Sequence, residues 1–139
     1  MNRIFLLLVV IIILVLFLGC QENPKTKVLV PITISKVYPG DILEVDRIEL
    51  LDGSSGDRKT IKDGSQIIQW INHIKEIELI PDKDQQPRVG NIYNISLFKG
   101  EIKKLGFVSN EINGVYYKSD LEFQGYIKAF FEEQFGRHF

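Results

Sequence analysis

An unbroken apolar run, Ile4 to Leu18, opens this 139-residue chain and is followed by Gly19, Cys20 and the polar stretch Gln21-Glu22-Asn23-Pro24. A short positive start at Arg3, an apolar stretch of about 15 residues and a small residue at its end make up the layout of an export signal. The run falls short of the roughly 20 residues of a stable spanning helix. With Gly19 and Cys20 included it could still cross a locally thinned bilayer, with Arg3 held on the cytoplasmic side, so a single-span anchor is the alternative to a cleaved signal. Composition divides at the same point. Seventeen of the first 20 residues are hydrophobic, against 45 of the remaining 119, and those 119 carry 16 bases and 18 acids. A nearly balanced, slightly acidic remainder argues against a basic nucleic-acid-binding surface. Nine Phe, five Tyr and one Trp are enough aromatic volume to fill the core of one domain rather than leave it disordered.

Cys20 is the chain's one cysteine, so an intrachain disulfide is impossible although export leads to a compartment where disulfides persist. The segment Leu16-Phe17-Leu18-Gly19-Cys20 resembles the lipobox of bacterial lipoproteins in its Gly before the Cys and its apolar approach, and departs from it at Phe17 and Leu18, where Leu and a small residue are usual. The resemblance implies a signal peptide at 1–19, diacylglycerol on the Cys20 sulfur, cleavage before Cys20 and acylation of the new amino terminus. Burial of about 0.8 kcal/mol per methylene makes one acyl chain marginal and two stable, so such a terminus holds a domain at the membrane. The expected location is the outer face of the cell membrane.

Residues 20–27 are expected to be the lipidated Cys and a polar tether, with Gln21 to Lys27 lacking any period, and 28–139 a single extracytoplasmic domain. Val28 to Ile34 alternates but contains Pro31, which predicts an edge strand or extended lead-in ended by Tyr38-Pro39-Gly40-Asp41. Val45 to Leu51, the turn formers Asp52 to Asp57, and Arg58 to Ile61 predict a β-hairpin. Asp63 with Gln66 forms a capping box before Ile67, Ile68, Ile71 and Ile74, which predicts a helix over 64–75. A short strand at Ile77 and Leu79, an exposed loop Pro81 to Arg88, and strands at Asn91–Phe98, Glu101–Val108 and Val115–Lys118 follow. Ser119 with Glu122 predicts the cap of a last helix carrying Phe123, Tyr126, Ile127, Phe130, Phe131 and Phe135 at helical spacing and ending at Gly136. The expected fold is α+β: one antiparallel sheet with both amphipathic helices packed on one face. The other face, near Asn94, Ser96, Lys103 and Tyr117, is left to solvent or a partner.

Through Arg47 to Ile61 (RIELLDGSSGDRKTI), Arg88-Val89-Gly90 and Ile112-Asn113-Gly114-Val115-Tyr116-Tyr117, the exported part resembles small lipoproteins of Gram-positive bacteria that share an extracellular domain of unknown function. The resemblance implies fold, anchoring and surface exposure, and brings no activity or catalytic residue.

Chemistry-bearing residues are sparse. His73 with Glu76 offers two ligands on one helix face, fewer than a metal site needs, and His138 stands next to the carboxyl terminus. Asp82 and Asp84 lack the Gly and Glu spacing of an EF-hand. Glu132-Glu133 and Glu76 with Glu78 sit where charges coat the wet side of periodic elements, and Gly53-Ser54-Ser55-Gly56 lacks the Lys and helix of a phosphate-binding loop. Asn94-Ile95-Ser96 matches a glycosylation acceptor, a modification mainly of eukaryotic secretion. Lys99, Lys103 and Lys104 form a small basic spot beside Glu101.

No catalytic residue, cofactor or metal ligand is assigned, and the one modified residue expected is Cys20. The expected function is non-enzymatic: binding of an envelope protein or peptide through the sheet face or an edge strand, with the membrane reached through Cys20 and no nucleic acid as partner. The alternatives are a small-ligand-binding lipoprotein serving a transporter, a wall-acting hydrolase, and an unlipidated single-span protein.

Overall fold

Alternating apolar residues in three strand segments and periodic ones in two helices build the two layers of the domain, which the computed structural model describes for residues 29–139. Cys20, the signal segment and the whole of the tether lie outside the described residues. Among those described, no helix is long and apolar enough to cross a membrane.

After a short helix α1 (Ile34–Val37) and a 3-10 turn (Ile42–Glu44), the chain runs through β1 (Arg47–Asp52), β2 (Arg58–Ile61), α2 (Gly64–Ile74), β3 (Tyr93–Lys99), β4 (Ile102–Val108), β5 (Glu111–Ile112), β6 (Val115–Tyr116) and α3 (Leu121–Phe135). The strands form one six-stranded sheet in the order β2-β1-β3-β4-β5-β6, every neighbouring pair antiparallel. The fold is α+β, as the pattern predicts.

Register explains the two faces. Ile48 lies between Ile61 and Leu97, Leu50 between Lys59 and Ile95, and Leu97 and Ile95 in turn oppose Leu105 and Phe107. One face is therefore a continuous apolar surface, and Ile67, Trp70, Ile71 and Ile74 of α2 with Phe123, Ile127, Phe130 and Phe131 of α3 close over it in a single core. The opposite rows, such as Thr60-Glu49-Ser96-Gly106, are polar. Asn113 and Gly114, at φ 52° and 75°, supply the left-handed pair that a two-residue turn between β5 and β6 requires.

Four local expectations are corrected. Val28–Ile34 is not a strand over its described part: Ile32 makes one bridge to Leu79, and Thr33 then accepts a hydrogen bond from the Lys36 amide at 3.3 Å and caps α1. Leu79 contributes only that bridge, so Ile77 and Leu79 form no strand of their own. The cap of α3 is Asp120 rather than Ser119, its Oδ1 accepting from the Phe123 amide at 2.8 Å, which also sets a negative charge at the positive end of the helix. Ile68 is 44% exposed and Trp70 takes the place in the buried stripe, because Ile68 sits about 100° around the helix from Ile67.

Candidate functional site

A sheet with two ends has two unpaired edges unless something covers them, and an exposed edge is a row of N–H and C=O groups ready to pair with another chain. The two ends of this sheet differ in how they are finished.

The β6 end is closed by the irregular segment 80–88. Asp82 N–H donates to the Tyr116 carbonyl at 2.9 Å, Lys118 N–H to the Ile80 carbonyl at 2.9 Å, and Pro81 bridges Tyr117. The Gln85 carboxamide completes the cover as a substitute peptide group, accepting from Tyr116 N–H at 2.9 Å and donating to the Tyr116 carbonyl at 2.8 Å. Arg88 fixes this strap: its amide donates to the Tyr116 hydroxyl at 3.1 Å, and its guanidinium pairs with Asp82 at 2.7 Å while lying over the Tyr116 ring. Asp82 is held below the usual carboxylate range, first by the Arg88 hydrogen bond and then by the Asp84 amide. The sequence-level expectation of a loop holds for 81–88, and Asp82 is already neutralised by a guanidinium.

The β2 end is open among the described residues. Asp52 N–H donates to the Asp57 carbonyl at 2.9 Å and sets the phase of the β1-β2 ladder. Antiparallel hydrogen-bonded and non-bonded pairs alternate, so Lys59 and Ile61 turn their peptide groups towards β1 while Arg58 and Thr60 turn theirs outward. Arg58, Lys59 and Thr60 are all exposed, as is Lys62 beyond them.

The turn that presents this edge is fastened from inside. Asp52 is 1% exposed, yet its carboxylate accepts from Ser54 N–H at 2.7 Å, the Ser54 hydroxyl at 2.6 Å and the Ser55 hydroxyl at 2.8 Å, and it pairs with Arg137 from the carboxyl-terminal tail. Arg137 also reaches Asp57 at 3.0 Å. The Ser54 hydroxyl is the main cause holding the Asp52 carboxyl well below the usual range; burial opposes it, and Ser54 N–H, the Ser55 hydroxyl and Arg137 add to it. Gly53 closes the turn against the neighbouring segment, because a Cβ there would collide with the Asn91 carbonyl oxygen.

Two shallow depressions lie elsewhere on the described surface. On the polar sheet face, Asn94, Ser96, Lys103, Gly106, Val108 and Glu111 line about 230 Å³, and the ammonium end of Lys103 lies over Gly106 where a side chain would otherwise stand. Tyr117, expected near this face, is instead 5% exposed in the core, one residue past the end of β6. Between α2 and α3, a groove of about 240 Å³ is lined by Gln66, Gln69, Trp70, His73, Tyr126 and Glu133, among others. Its aromatic faces are largely spent on each other: Trp70 stacks on Phe130 and His73 on Tyr126, each at 4.6 Å. Both depressions are smaller than the roughly 300–1,000 Å³ of most small-molecule sites.

The remaining sequence candidates stay apart. His73 is exposed and no third ligand joins it and Glu76; among the described residues no group of three His, Cys, Asp or Glu side chains is assembled. His138 approaches Glu132 at 3.3 Å, Glu132 also accepts from the Phe139 amide at 3.1 Å, and Glu133 accepts from Gln66 at 3.1 Å. Lys99 and Lys103 are exposed and Lys104 half-buried, while Glu101 turns to Arg47 at 3.5 Å. Sequence reasoning missed the Asp52 to Arg137 pair and the Gln85 cover. The Asp-Gly-Ser-Ser string is a legible side-chain turn signal for the first, but no local signal indicates Arg137.

Compared with known proteins, the chain matches no family model, no curated protein and no solved structure.

Proposed function

We propose that this chain is a lipoprotein of the bacterial envelope, one of the small Gram-positive lipoproteins it resembles, in which Cys20 carries the anchor and the domain binds an extended segment of another envelope protein along β2. The observation that carries the binding role is the asymmetry of the sheet: the β6 edge is paired by Gln85 and the 80–88 strap, while the outward peptide groups of Arg58 and Thr60 remain for an incoming strand. The polar tether gives the domain reach from the membrane surface, and the role is binding rather than catalysis.

The edge is tested by Thr60→Pro. Proline removes an N–H that faces away from β1, a position where an edge strand tolerates it, so the fold is expected to keep its Tm within about 3 °C. A photo-crosslinker at Lys62 in living cells is expected to give a discrete adduct in the parent chain and none in Thr60→Pro, while a crosslinker at Leu121, which is 87% exposed, serves as the control. An adduct from Lys62 that survives Thr60→Pro contradicts edge pairing.

The anchor is tested separately. The amino-terminal peptide from the membrane fraction is expected to begin at an acylated Cys20, and Cys20→Ala is expected to remove that mass. An intact Met1 terminus in both proteins would assign a single-span anchor instead.

A further inference from the structure

We infer that the segment received at the β2 edge is acidic on both of its faces, a conclusion that rests on the edge reading above. Arg58 and Lys59 are consecutive in a strand, so their side chains fall on opposite faces of the sheet: Arg58 with Leu51 on the polar face, Lys59 with Leu50 on the helix side, where its ammonium lies 6.0 Å from the Phe135 ring. Lys62 adds a third exposed cation just past the strand.

The carboxylates nearest in sequence are engaged elsewhere. Asp57 pairs with Arg137 at 3.0 Å, and Asp63 accepts the Gln66 amide at 3.0 Å as the cap of α2. Glu49, opposite Thr60, lies 3.7 Å from Arg47. Among the described residues, the ion pairs use Arg47, Arg88, Lys128, Arg137 and His138, and none uses Arg58, Lys59 or Lys62.

Three uncompensated cations on one open edge have two consequences. A second copy of the same edge would place like charges opposite each other, which disfavours self-pairing and protects the edge from aggregation. A strand bearing carboxylates on both faces would gain cross-strand pairs with Arg58 and Lys59 in addition to the main-chain hydrogen bonds.

The experiment uses the full chain in phosphatidylcholine vesicles and three labelled ten-residue peptides with the same Thr and Val framework and Glu, Gln or Lys at three consecutive central positions. The Glu peptide is expected to bind roughly tenfold more tightly than the Gln peptide, an advantage that shrinks with added salt. Arg58→Glu with Lys59→Glu is expected to transfer the preference to the Lys peptide, and Thr60→Pro to abolish binding of every peptide, with unchanged Tm as the folding control. Equal binding of the Glu and Gln peptides, lost in Thr60→Pro, would overturn the acidic partner and leave the edge reading standing. Glu-peptide binding that is indifferent to Thr60→Pro would overturn the edge reading itself. Binding of the parent chain to phosphatidylglycerol in excess of phosphatidylcholine vesicles, lost in Arg58→Glu with Lys59→Glu and seen without binding of any peptide, would overturn both and assign the cations to a lipid surface.

Discussion

Phe131→Ala is expected to destabilise the domain by about 4 kcal/mol, the usual cost of emptying a large aromatic from a core. Phe131 is fully buried in the carboxyl-terminal half of α3 and joins three parts of the structure. It meets the β3 ring of Tyr93 edge-on at 4.9 Å, stacks on Phe135 at 5.6 Å, and receives Phe139 of the tail at 5.6 Å. Truncation removes all three ring contacts in addition to buried area, in a domain whose whole stability is of order 5–15 kcal/mol. A fall in Tm of roughly 15 °C by circular dichroism is the expected reading. Phe135→Ala, at the partly exposed end of the same helix, should cost clearly less; equal losses would mean that the aromatic cluster is not centred on Phe131.

Asp52→Ala is expected to lower Tm by roughly 10 °C, because it removes the buried carboxylate on which the Ser54 amide, the Ser54 and Ser55 hydroxyls and Arg137 converge. The variant should also change the acid limb of stability. The folded state holds Asp52 below the usual carboxylate pKa, so the unfolded chain binds more protons in the acid range and stability rises with pH there. The contribution is complete at neutral pH and declines as pH falls below roughly 4, the unfolded value. The gap in Tm between the parent and Asp52→Ala should therefore narrow from pH 7 towards pH 2, with Asp82 and Glu132, also held low, sustaining part of the acid sensitivity in both. A constant gap would show that the lost hydrogen bonds act independently of the Asp52 charge. Since Asp52 fastens the turn between β1 and β2, the same variant should loosen the edge that Thr60 occupies.

The elements with local signatures were legible in the amino-acid sequence. Asp63 and Gln66 marked the start of α2, Gly136 the end of α3 at φ 65°, and Asn113-Gly114 the last hairpin turn. The segment around Ile34 was less so, because β-branched alternation there is overridden by the Thr33 cap and by docking of Ile34 into the core. The position of β2 at the open edge depends on pairings that no local pattern encodes. That β1 pairs with β3 across the intervening α2, leaving β2 terminal, follows from long-range packing of Ile48 and Leu50 against Leu97 and Ile95. The cover on β6 comes from segment 80–88 and is completed by Gln85, 31 residues away from Tyr116, in a stretch whose composition says only loop. Tyr117 shows the same limit from the other side: alternation beside Tyr116 suggested the wet face, whereas the chain leaves the ladder there and turns Tyr117 into the core.

Residue-resolved amide hydrogen exchange, on the chain alone and joined to any protein captured from Lys62, tests the account most directly. The account predicts fast exchange at Arg58 and Thr60 and slow exchange at Tyr116 in the free chain, with Arg58 and Thr60 becoming slow in the complex while Tyr116 is unchanged. Protection that appears elsewhere while Arg58 and Thr60 still exchange freely would contradict strand addition at β2.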